Sequence, residues 1–108
     1  MSLLVYITLP LEQDPEKFCT ELLEAKLAAG MNILGPCRSL FHWQNELKKK
    51  EEWVILAQVA EESFVSFKKA ALDIHPYEIP CIIGFHIDSA YPPFLSWIKA
   101  CCEARQCS

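Results

Sequence analysis

The run His75-Pro76-Tyr77-Glu78-Ile79-Pro80 places an imidazole, a phenol and a carboxylate side by side between two prolines. Imidazole and carboxylate are donors for copper or zinc, which makes His75 and Glu78 the first candidate metal ligands. Further donors are His42, Cys37, Cys81, His86 and Asp88, but none stands at a tight ligand spacing. On a strand, His86 and Asp88 share a parity with Ile82 and Gly84, whereas Cys81 goes with Ile83 and Phe85. Cys81 and His86 are therefore expected on opposite faces of one sheet. The alternative reading of the same run is a stiff helix-to-strand corner whose polar groups satisfy nearby backbone. Catalysis is not expected. The chain has no G-x-S-x-G and no H-E-x-x-H, and its glycines, at 30, 35 and 84, form no phosphate-cradling loop.

The corner needs elements on either side. A residue before proline is pushed out of helical geometry, so the periodic segment Glu61 to Ile74, with Phe64, Phe67, Ala71 and Ile74 inward, must stop at the corner. The following apolar run predicts a strand from Cys81 to Ile87, and a last helix over about Pro93 to Ala104 carries Leu95, Trp97 and Ile98. Upstream, residues 3–9 alternate as a first strand, stopped by Pro10. Asp14 caps a helix with Pro15 at its first position and Glu16 beside the positive dipole end, and Gly30 ends it. Asn32 to Gln44 is extended but interrupted at Gly35-Pro36, which suggests a bulge or an edge strand. Asn45 to Lys49 turns the chain back, Lys48-Lys49-Lys50 forms a solvated hairpin tip, and residues 52–59 make a third strand.

The order is β-α-β-β-α-β plus a terminal helix, an α+β ferredoxin-like arrangement: a four-stranded antiparallel sheet with two helices on one face. Strands one, three and four are apolar on both sides, although a solvated face should alternate cleanly. Something must cover the second face, most economically copies of the same chain.

The length of 108 residues fits one domain spanning 1–108. A net charge of −4 opposes phosphate binding, so no nucleic-acid partner is expected. No segment approaches the roughly 18 apolar residues of a membrane span, and the N-terminus lacks a signal-peptide pattern. A soluble cytoplasmic protein is the expectation. The six cysteines, at 19, 37, 81, 101, 102 and 107, show no C-x-x-C and are expected as free thiols.

Four segments in order resemble one family: Leu27-Ala28-Ala29-x-x-Asn32-Ile33, the aromatic pair ending at Trp43, the corner His75 to Pro80, and Tyr91-x-x-Phe94-Leu95-x-Trp97-Ile98. Together with the element order they resemble the CutA divalent-cation tolerance proteins over essentially the whole chain. The resemblance implies a ferredoxin-like homotrimer similar to the PII signalling proteins, a link to divalent metals, copper above all, and inter-subunit clefts near the corner. It places Tyr77, Trp43 and His86 as candidate ligand-binding residues beside the metal candidates His75 and Glu78. It also leaves room for a PII-like small-ligand sensor, or an assembly trimer for other proteins, with no physiological metal site. The chain departs from the family pattern in several places. Ile7 precedes Thr8 where members often carry a Cys, Ile74 precedes His75, Gln58-Val59 replaces Lys-Thr, and Gly30 replaces a Cys.

Overall fold

A computed structural model describes residues 1–103 and shows why each element forms where it does. Strand β1 (Ser2–Pro10) leads to helix α1 (Pro15–Glu24), whose start is set by Asp14: its Oδ1 accepts from the backbone N–H of Glu16 at 3.0 Å and of Lys17 at 3.3 Å. Such a cap contributes about 1 kcal/mol. The helix does not run on to Gly30. Lys26 takes a left-handed conformation (φ 62°), its N–H bonds to Leu23 O at 3.0 Å, and the Leu27 N–H reaches Leu22 O at 3.2 Å. That pattern closes the helix through two nested hydrogen bonds, with buried Leu22 and Leu27 sealing it, and it needs no glycine here.

Gly30 instead opens strand β2 (Gly30–Trp43). A side chain there would stand 2.7 Å from Gln58 Oε1 and 3.2 Å from a Trp97 ring carbon, so close approach explains the glycine. The expected interruption of β2 is present as a register shift between Leu34 and Cys37, with Gly35 at φ 127°.

Strand β3 (Glu46–Ala60) begins six residues before the expected position. The turn is the two-residue link Gln44-Asn45, both at positive φ (51° and 66°), between the paired residues Trp43 and Glu46. This geometry matches the right-handed twist of the flanking strands and draws them directly into a ladder. Lys48, Lys49 and Lys50 are therefore not a tip. They pair with Phe41, Leu40 and Ser39 along a two-stranded arm that continues past the last β1 partner, Glu52.

A 3-10 turn (Glu61–Ser63) leads into helix α2 (Phe64–Ile74), then strand β4 (Ile82–His86) and helix α3 (Pro92–Glu103). Ala104 and Cys107, which figure in the expectations above, lie outside the described residues. The sheet is antiparallel throughout, in the order β2-β3-β1-β4. Leu3, Val5, Ile7 and Leu9 of β1 and Ile55, Ala57 and Val59 of β3 form one buried face. Phe18 and Leu22 of α1 and Phe67 and Ala71 of α2 pack on it. This is the α+β ferredoxin-like arrangement. The opposite face carries Leu4, Tyr6, Val54 and Leu56 at intermediate burial, and Leu34, Ile83 and Phe85 exposed. Helix α3 reaches this side at Gly30 and Gln58 through Trp97, while Ile98 and Cys102 are fully buried.

Candidate functional site

The corner forms because Pro76 denies helical geometry to His75, which caps α2 in extended conformation (φ −88°, ψ 135°). That turn points the imidazole back under the sheet, where it is 9% exposed. Its Nδ1 accepts from the Tyr77 backbone N–H at 3.2 Å, so the ring proton sits on Nε2 and is donated to Thr8 O at 2.7 Å. Phe18 meets the ring edge-on at 5.9 Å between centroids. Burial lowers the pKa of His75 from its usual 6.5, against the raising influence of the Thr8 hydrogen bond and the Glu52 charge. A neutral ring with both nitrogens engaged has no lone pair free for a metal. His75 becomes a ligand only by surrendering its Tyr77 N–H.

Tyr77 carries the connection onward. Its hydroxyl donates to Glu52 Oε2 at 2.7 Å, and the Lys50 ammonium lies 4.5 Å from its ring centroid. Burial first, then the Glu52 hydrogen bond, pushes the phenol well above its usual 10. Glu52 is 5% exposed, on the second face of the sheet with Val54 and Leu56. These groups border a cleft of about 660 Å³ at the root of the arm. Strand β1 supplies Tyr6 and Thr8, the arm supplies Phe41, His42, Trp43 and the three lysines, and the corner supplies Tyr77, Glu78, Ile79 and Cys81. Burial raises the Cys81 thiol and the Tyr6 phenol, each aided by the charge of Glu52.

Of the residues singled out from the sequence, Tyr77, Trp43, Glu78, His42 and Cys81 meet at this cleft. His86 does not. It pairs with Leu3, whose side chain faces α1 and α2, so His86 belongs to the opposite face from Cys81, as strand parity requires. Asp88 is exposed beyond the end of β4, and Cys37 contacts Ser39 at 3.8 Å. Among the described residues no three His, Cys, Asp or Glu side chains come together in a metal-holding group. The donor set of one chain therefore does not fit a resident metal. Five described cysteines carry free thiols.

Glu52, Lys50 and Tyr6 were not singled out from the sequence. The usable signal was Glu52 itself, a carboxylate in register with the apolar positions 54 and 56 of a strand interior.

Comparison with known proteins gives a consistent picture. The profile of the family described as CutA1 divalent ion tolerance protein matches residues 3–101. The chain is 32% identical over 99 residues to the divalent-cation tolerance protein CutA of Archaeoglobus fulgidus, covering 92% of this chain and 96% of that protein. It is 29% identical to the protein of the same name from Thermus thermophilus, with the same coverage. The solved structure described as the periplasmic divalent cation tolerance protein CutA of A. fulgidus superposes with a TM-score of 0.89 at 31% identity, covering 94% of this chain and 99% of that one. The PII-like protein CutA of Nostoc shares the fold, with a TM-score of 0.86 at 22% identity over 93% of this chain and 96% of that one. No helix among the described residues is long and apolar enough to cross a membrane.

Proposed function

Because the chain belongs to the CutA1 divalent ion tolerance family, we propose that it acts as a homotrimer in divalent-cation tolerance, in the cytoplasm, and catalyses no reaction. The observation that carries this reading is the uncovered apolar face of the sheet. Leu34 and Ile83 are each 46% exposed and Phe85 is 53% exposed, and the arm adds Phe41, which pairs with Lys48 on the same side of the ladder. Apolar area left in water forgoes roughly 25 cal/mol per Å² of stabilisation, and a closed ring of copies recovers it without leaving a sticky surface.

Copper is the first candidate cation, ahead of zinc, because mixed nitrogen, oxygen and sulfur donors bind it more tightly. One chain gathers no complete donor set, so the cation would be held between copies, with Glu78 contributing from the exposed rim of the cleft. Sedimentation tests the assembly: a mass of three chains is expected, and Phe85→Glu should release smaller species. Titration with Cu(II) and Zn(II) tests the metal. Saturable heat that disappears in Glu78→Ala supports the reading. A monomeric wild type would sink the trimer, and heat unchanged by Glu78→Ala would sink the metal assignment. Cell fractionation decides the compartment.

A second reading is favoured by the cleft itself. A cavity of about 660 Å³ with aromatic walls, three lysines and an ordered carboxylate has the size and the mixed polarity of a small-molecule site. In this reading the trimer is a sensor or interaction protein whose ligand is organic.

A further inference from the structure

Glu52 carries the inference. It is 5% exposed, yet it lines the cleft, and among the described residues the hydrogen bond its carboxylate receives is the one from Tyr77 to Oε2. A carboxylate has about four acceptor sites, so Oε1 and the second lone pair on Oε2 remain for donors arriving from the cleft. Taking a carboxylate out of water is costly unless donors replace the water, so a ligand with N–H groups gains disproportionately here.

The rest of the cavity narrows the chemistry. Tyr6, Phe41, Trp43 and Tyr77 offer flat aromatic walls, which suit a planar ring. Lys48 and Lys50 bring ammonium groups to the same cleft. Lys48 is paired with Glu46 at 2.9 Å, but that pair is solvent-exposed and weak enough to exchange for an anion. These ammonium groups suit an anionic group on the ligand. A planar heterocycle with adjacent N–H donors and an anionic tail satisfies all three features.

We infer that the cleft binds a guanine nucleotide. The ring N–H and the exocyclic amino group of guanine face the Glu52 carboxylate, the base lies against the aromatic walls, and the phosphate sits at Lys48 and Lys50. Adenine presents one amino donor beside a ring-nitrogen lone pair, which the carboxylate repels. The inference rests on the second reading above, that the cleft is a ligand seat.

The test is titration of the full chain, in its native assembly, with GMP, AMP and inorganic phosphate, read by calorimetry and by tryptophan fluorescence. GMP is expected to saturate, with AMP and phosphate weaker by about tenfold or more. Glu52→Gln, which puts an amide in place of the carboxylate, should weaken GMP by about tenfold or more with circular dichroism unchanged. Lys48→Ala, at an exposed position, should also weaken GMP and flatten its salt dependence, which guards against a folding defect in the Glu52 variant. Equal binding of AMP and GMP, or binding indifferent to Glu52→Gln, overturns the ligand class and leaves the seat standing. Silence from all three probes overturns the seat and the inference together.

Discussion

Tyr77→Phe is the most diagnostic single change, because it deletes one oxygen and leaves the packing volume almost untouched. That oxygen donates to Glu52 at 2.7 Å, and Glu52 is 5% exposed. A hydrogen bond to a charged group is worth about 1.5–3 kcal/mol, and its loss here strands a carboxylate with little access to water. The Lys50 ammonium, 4.5 Å from the ring centroid, stays over a phenylalanine face and offsets little of the loss. The expected destabilisation is therefore about 2 kcal/mol. It should be read from denaturant midpoints at one fixed protein concentration, since assembly couples to apparent stability. A double-mutant cycle with Glu52→Gln should return a coupling of about 1 kcal/mol or more, because each partner loses the same bond. Ultraviolet titration supplies an independent check: the Tyr6 and Tyr77 phenols should both ionise late in the wild type while the fold persists, and the variant should lose the later of these steps, that of Tyr77. A Tyr77→Phe chain as stable as wild type, with no coupling to Glu52, would refute the idea that this pair orders the cleft.

Other expectations follow from the same geometry. His75 has a folded pKa below its unfolded value of 6.5, so the unfolded chain binds the extra proton. The contribution of His75 is fully present above pH 6.5 and is lost as pH falls through the folded pKa; denaturant midpoints taken across that range should drop, and less so in His75→Gln. Asp14→Ala removes the acceptor of two N-terminal amides of α1 and should cost about 1 kcal/mol in a chemical melt. Gly30→Ala drives a methyl toward the Trp97 ring at 3.2 Å and should cost about 1 kcal/mol or more, with a changed tryptophan emission as α3 shifts.

How much was legible depended on whether the cause was local. The start of α1 was readable because Asp14, Pro15 and Glu16 are a self-contained cap. Its end was not, since the left-handed position is filled by Lys26, and the eye goes to Gly30, which is kept for a different reason, the nearness of Gln58 and Trp97. The arm was hidden in the same way. Gln44 and Asn45 make a tight turn without a glycine, and the charged run from Lys48 to Glu52 looks like a loop although every member is paired in the ladder. The helical turn-off at Ile74 was plain from Pro76 alone.

The order of elements, the corner, the opposite facing of Cys81 and His86, and the surplus of apolar residues on the second sheet face were all set by neighbours in the chain and by the strand period of two. Such features follow from backbone sterics and alternation, which need no knowledge of distant residues. The chemistry of the site was decided elsewhere. His75 is committed by a carbonyl 67 residues away, and Tyr77 by a carboxylate 25 residues away. A side chain of the right type becomes a free ligand or a sealed strut according to which partners the fold brings within hydrogen-bonding distance, and only the tertiary structure sets those distances.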